Sequence, residues 1–307
     1  MFDLIYRFDP VNALTNKLPT SSEEACEVLM QGNHEFAQLT DPRTRQRRTS
    51  IIPIDPRAFG WDLIEHSAPT QAPFAAVLGC ADARVPTEMV FTRGCNEIFV
   101  VRVAGNVLGQ ECLGSLRFAV NHFSSTLKLL LVLGHSQCGA VTEAVNAHLE
   151  PRRYMEMATD YSTRAIEDQI LFAVRVATMT METVYGPDLP VTSGYRSALL
   201  QASVALNAAW SAYCLRQEFG STYPHVGIVF GVYDLVSRSI GLPLSASAQG
   251  PKESAGLFVP PADVEQFREL AYGICSSAVV RALLREPARQ HEVESIDLNS
   301  TAVVRDC

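Results

Sequence analysis

The sequence predicts an α/β fold: a mostly parallel β-sheet flanked by helices, with an N-terminal helical arm and a C-terminal helical extension. Three observations carry this expectation. Residues 74–78, 98–103, 127–133 and 226–232 are short, nearly continuous apolar runs, the pattern of parallel strands buried on both faces. Helix-compatible segments at 86–92 and 110–124 alternate with the first three runs, as in a doubly wound sheet. The chain has 307 residues, 47% of them apolar, enough for one large core with appendages. The expected division is an arm at 1–72, an α/β core at 73–240, and a linker with a helical extension at 241–307.

In chain order, residues 21–39 read as an amphipathic helix. Ser21 and Glu24 form a capping box, and Ala25, Val28, Leu29, Phe36 and Leu39 form an apolar stripe. Residues 40–72, with their charges and prolines, read as irregular apart from a short piece at 61–65. After the third strand come a helix at 138–148 and two long helices at 162–184 and 194–219. The final run, 226–232, closes the sheet. Residues 241–261 are rich in Gly, Pro, Ser and Ala and read as a linker. Residues 262–285 read as one helix with Val264, Phe267, Leu270, Ala271, Ile274, Val279 and Leu283 on an apolar stripe. That stripe must be covered, and the linker is long enough for it to dock on a neighbouring subunit.

A net charge of −8 without a Lys/Arg block argues against nucleic-acid or anionic-membrane partners. No uncharged stretch reaches membrane-spanning length, and residues 1–20 lack a secretory pattern. Eight scattered cysteines suit a reduced compartment, with a few thiols recruited for metal. The expected location is the cytoplasm.

The chemistry concentrates in Cys80-Ala-Asp82-Ala-Arg84 and His135-Ser-Gln-Cys138. Two thiolates and one imidazole suit zinc, and three protein ligands leave the open position of a catalytic site. Either cysteine alone would be an ordinary buried thiol. Both cysteines together with His135, all at the carboxyl ends of predicted strands where open α/β sheets bind ligands, point to a metal. Cys138 would open a helix, whose N-terminus favours its thiolate. Asp82 beside the metal would ligate it or accept a hydrogen bond from its water, with Arg84 holding the carboxylate ionised. The run Gly134-His-Ser136-Gln-Cys138 also resembles a nucleophile elbow, but that turn requires Gly where Cys138 stands. His34, His66, His122, His148, His225 and His291 show no ligand spacing.

With these residues in view, the chain resembles the β-class carbonic anhydrases over about residues 20–240. The likeness rests on Gly32-Asn33-x-x-Phe36, Cys80-x-Asp82-x-Arg84-Val85-Pro86, Phe99-Val-Val-Arg102-x-Ala104-Gly105-Asn106, Gly134-His135-Ser136-x-Cys138-Gly139-Ala140 and Gly231-Val-Tyr233-Asp234. The resemblance implies zinc-dependent, reversible hydration of carbon dioxide to bicarbonate. It implies one zinc ion per chain on Cys80, His135 and Cys138, the Asp82–Arg84 dyad beside it, and a homodimer or higher homo-oligomer. Gln71 matches the glutamine that plant-type members lend to substrate across a subunit interface, and Phe99 and Phe118 match pocket aromatics. Val77 replaces the tryptophan of the bicarbonate-inhibited subgroup, which implies the open type of site. The sequence departs from the family pattern at Ala83, at Arg117 and in the tail beyond 241. Two other readings share the metal site: a zinc hydrolase of carbon disulfide or carbonyl sulfide, and a catalytically silent assembly protein.

Overall fold

The computed structural model describes residues 1–8, 18–43, 47–54, 69–156, 159–244 and 256–285. The piece at 61–65, His66, His291, most of the 241–261 segment and everything past 285 lie outside the described residues. A five-stranded sheet forms the centre, in the order β4-β3-β5-β6-β7. Its strands are β3 (Ala75–Gly79), β4 (Ile98–Arg102), β5 (Leu129–His135), β6 (Gly227–Tyr233) and β7 (Ile240–Gly241). The first four are mutually parallel, and β7 is a short antiparallel edge.

Side-chain alternation divides the core in two. Ala76, Leu78, Leu130, Val132, Phe230 and Val232 face one layer. Ala75, Val77, Leu129, Leu131, Leu133 and Val229 face the other. Because both faces are covered, nearly every residue of β3 and β5 is buried, which is why these strands lack a polar alternation. The second layer rests on α1 (Ser22–Leu39) and the short α2 (Thr87–Val90). The first rests on α3 (Gln110–His122) and α7 (Tyr195–Phe219), with α4 (Gly139–Leu149) and α6 (Tyr161–Tyr185) packed on α7. A short α5 (Pro151–Glu156) links α4 to α6. By length and composition alone α7 passes for a membrane span, but most of it is buried inside the protein. It is a core helix, and its Ala-rich surface lets it approach the sheet closely: a Cβ on Gly134 of β5 would stand 3.2 Å from the Ala208 Cβ.

The N-terminal arm differs from the sequence expectation. Its helix is present, Ser21 accepts from the Glu24 amide, and the Glu24 carboxylate accepts from the Thr20 amide and hydroxyl. Asn33 explains the Gly32-Asn33 motif, because its amide donates to Val90 O and Arg238 O while its Oδ1 accepts from Ile240 N. Gly32 is required beside it, since a Cβ there would lie 1.8 Å from Phe91 O. The region read as irregular contains β2 (Arg48–Ile54), which pairs in parallel with β1 (Phe2–Phe8). Neither strand stands out in sequence, because β1 is largely exposed and β2 is interrupted by Pro53.

The C-terminal expectations need two corrections. The 241–261 segment is more than a linker: Ile240–Gly241 pairs with β6, and Phe258 exchanges two 2.8 Å backbone hydrogen bonds with Phe230. The extension is two helices, α8 (Val264–Cys275) and α9 (Ala278–Leu284), because Ser277 stops the first and caps the second by accepting from Val280 N. Its stripe packs on its own subunit, not on a neighbour. Phe267, Ala271 and Ile274 join the first core layer, and Phe267 stacks among Phe172, Trp210 and Tyr213. Val264 and Val279, 55% and 45% exposed, fall off that contact face.

A helix that belongs to its own core predicts a stability effect without an assembly effect. Phe267→Ala should cost about 3–5 kcal/mol, read as a lower denaturation midpoint, with the light-scattering mass of the native protein unchanged. A changed mass at unchanged stability would return the stripe to an interface.

Candidate metal centre

The strand order reverses between β3 and β5: the chain leaves β3 for β4 on one side and then crosses to β5 on the other. A crevice opens at the carboxyl ends of the two strands flanking such a reversal. Cys80 follows the last residue of β3, His135 ends β5, and Cys138 is the N-cap of α4. The register that pairs Gly79 with Leu133 brings these ends side by side.

The three side chains converge, with all their donor atoms within 4.8 Å of one another, and all three are buried. The Cys80 and Cys138 sulfurs are 3.9 Å apart, far beyond a disulfide bond of about 2.05 Å. That spacing fits a shared metal, since two sulfurs each about 2.3 Å from a tetrahedral ion stand about 3.8 Å apart. His135 Nδ1 bonds to Ser136 O at 3.0 Å, which turns Nε2 toward the sulfurs as an acceptor. Nε2 is buried without a hydrogen-bond partner, a costly arrangement unless a metal takes its lone pair. The donor set therefore fits a borderline-soft cation.

The thiols interact strongly. Contact with Cys138, then the neighbouring His135 and the backbone amides of Asp82 and Gly105, hold the Cys80 thiol down at about 4. Cys138 goes the opposite way from the helix-terminus expectation. The adjacent Cys80 sulfur and burial raise its pKa, outweighing the opposing amides of Val141 and Ala140. Two buried thiolates without a cation repel, so one of them keeps its proton.

Asp82 and Arg84 form a two-pronged ion pair. Arg84 Nε donates to Oδ1 at 3.0 Å and Nη2 to Oδ2 at 2.7 Å. Arg84 holds the Asp82 carboxyl down to about 2. Asp82 Oδ2 also faces His135 Nε2 at 3.7 Å. Arg102 anchors the loop beneath, donating to Cys80 O and Asp82 O.

Ser136 has no nucleophilic setting. Its Oγ accepts from Leu235 N, and its amide donates to Tyr233 O at the end of β6. This ties the His135–Cys138 turn to the Gly231–Asp234 motif. Arg117, one of the departures noted in the sequence, pairs with Glu218 and lies over the Phe219 ring, so it bridges α3 and α7.

The remaining sequence candidates lie elsewhere. Gln71, nine residues before Cys80, sits beyond the opposite end of β3, with about 17 Å of strand between them. It lines a cleft of about 320 Å³ with Pro69, Thr70, Asn96 and Phe99. The Phe99 and Phe118 ring centroids are 6.5 Å apart, and Phe118 is 47% exposed. Within one chain, these three residues form their own group beside the outer strand β4 and do not join Cys80, His135 and Cys138.

Sequence reading missed the support behind Cys80. Gly105 N donates to Cys80 Sγ at 3.3 Å, Asn207 Nδ2 donates to Gly105 O, and Ser211 Oγ to Asn106 O. The available signal was Ser203, Asn207 and Ser211, polar residues at every fourth position of the largely apolar middle of this helix, 202–215.

Comparison with known proteins agrees with the geometry. A family model described as carbonic anhydrase matches residues 75–181. The carbonic anhydrase 2 of Mycobacterium tuberculosis is 45% identical over 128 residues, 42% of this chain and 55% of that protein. A carbonic anhydrase of Pseudomonas aeruginosa is 30% identical over 122 residues, 34% of this chain and 55% of that one. The chain thus spans about half the length of these curated relatives. Among solved structures, a tetrameric β-carbonic anhydrase of Sordaria macrospora is similar with a TM-score of 0.43 and 16% identity, over 56% of this chain and 80% of that one. The family match begins at the first residue of β3 and spans Cys80, His135 and Cys138. The segment that builds the metal centre is the segment that carries the likeness: residues 75–181 match the carbonic anhydrase family model.

Proposed function

We propose that this chain is a zinc-dependent carbonic anhydrase of the open, plant-type subgroup. It reversibly hydrates carbon dioxide to bicarbonate and a proton, as a cytoplasmic homodimer or higher homo-oligomer. The observation that carries this reading is the Asp82–Arg84 pair turned toward the unpartnered Nε2 of His135.

Cys80, His135 and Cys138 would hold the ion. Bound there, zinc supplies a nucleophile at physiological pH by lowering the pKa of a coordinated water. Asp82, kept ionised by Arg84, accepts a hydrogen bond from the attacking water and so orients its lone pair. Arg84 engages both Asp82 oxygens, which supports an open subgroup in which the carboxylate would face the ion's water rather than join the three ligands.

The substrate side of the pocket comes from a second copy of the chain. Gln71, Phe99 and Phe118 are grouped beside β4, an outer strand with only one partner, away from their own metal ligands. In a dimer formed along this edge, the Gln71 amide donates to a substrate oxygen and stabilises its developing charge. The two phenyl rings give carbon dioxide an apolar wall. Seven described cysteines, all free, support a reducing compartment.

The test is a stopped-flow assay of carbon dioxide hydration on protein whose zinc content has been measured. Turnover that scales with zinc supports the proposal; full zinc occupancy without hydration refutes it. Cys80→Ser should lose both zinc and activity, and a variant that still binds one zinc per chain would overturn the ligand assignment. Asp82→Asn keeps every ligand, so it should retain zinc while kcat falls by on the order of 10–100-fold. Unchanged kcat at full occupancy would remove Asp82 from the reaction.

A further inference from the structure

We infer that Asn207, on the buried helix α7, is a positioning residue for the metal ligand Cys80, acting through Gly105. The inference rests on the metal-site reading above and extends it to a residue in the core.

The chain of contacts is short. Gly105 N donates to Cys80 Sγ at 3.3 Å, and Asn207 Nδ2 donates to Gly105 O at 2.8 Å. Cys80 and Asn207 are 5% and 2% exposed, so water does not compete for these bonds. The turn between them is poorly held by its own backbone. Gly105 has φ +67° and Asn106 has φ +47°, two consecutive residues in the left-handed region. One internal hydrogen bond, Asn106 N to Val103 O, closes the turn. Side-chain space is also closed: a Cβ on Gly105 would stand 2.7 Å from Ile170 Cδ1 and 3.2 Å from the Ala140 Cβ.

The Gly105 amide therefore aims at Cys80 because Asn207 fixes the other side of that residue. An amide pointed at a metal-bound sulfur withdraws electron density from it and fixes its orientation. Outer partners of this kind typically change metal affinity about 10–100-fold when removed. Ser211 provides an internal comparison. It lies one turn further along α7 and donates to Asn106 O at 3.2 Å, whereas the bond to the ligand sulfur comes from Gly105. The Asn106 side-chain Nδ2 is buried without a hydrogen-bond partner.

Asn207→Leu keeps a similar volume and deletes the donor; Asn207→Ala deletes it at smaller size and serves if the first variant does not fold. Cobalt(II) replaces the native ion as probe, read by its sulfur-to-cobalt charge-transfer band and by chelator competition. The expected result is affinity weakened about 10–100-fold and a band shifted to lower energy, as the sulfur loses its hydrogen bond. Ser211→Ala should leave both readouts close to wild type. Affinity and band unchanged in the Asn207 variants, with only the melting temperature of the metal-free protein lowered, would make Asn207 merely structural. Equal changes in Ser211→Ala would assign the effect to general loosening of the loop and overturn the specific role. A wild-type protein that takes up cobalt without any sulfur band would overturn the metal reading, and the positioning role with it.

Discussion

The lateral pairing of β3 with β5 is the constraint on which the site depends. These strands are neighbours in the sheet but are separated in sequence by β4 and α3. Their parallel register sets Cys80 beside the end of β5, so His135 and the turn to Cys138 meet it without a long loop. Open α/β sheets place their ligands at such a reversal of strand order, here between β3 and β5. The close fit of α7 against Gly134 keeps the arrangement rigid, and the same helix supports the turn behind Cys80.

What collects at that point is electrostatically unfavourable by itself. Two thiols at 3.9 Å and an imidazole nitrogen without a partner are buried together. Burying such groups is costly unless something compensates them. The surrounding residues accommodate a cation that the thiols would neutralise. Arg84 is committed to Asp82, and Arg102 to backbone carbonyls. The two arginines thus shape the loop around the donors without themselves occupying the metal position.

Much of this was legible in sequence. The four parallel strands announce themselves as apolar runs because both faces of the sheet are covered. The metal donors are legible because Cys80 and His135 sit at the ends of such runs and Cys138 opens the helix that follows. Three features were not legible, each for a physical reason. β1 and β2 form an exposed two-stranded ribbon, so burial left no pattern in them. The contact between the Cys80 and Cys138 sulfurs joins residues 58 positions apart in the chain, and no local pattern announces it. The destination of the α8 stripe is a tertiary fact: a stripe shows that a face must be covered, and Trp210 and Phe172 show what covers it.

The distribution of the remaining residues points outward from the single chain. Gln71, Phe99 and Phe118 gather beside the open edge of β4, and the metal donors lie at the other end of the neighbouring strand. Both halves presuppose that the Cys80–His135–Cys138 cluster is a metal site. X-ray absorption at the zinc edge of the zinc-loaded chain tests that most directly. The expected spectrum has two sulfur scatterers at about 2.3 Å and one imidazole nitrogen at about 2.0–2.1 Å for each ion. A shell of nitrogen and oxygen without sulfur, or Cys80 and Cys138 joined as a disulfide in the same sample, would contradict it.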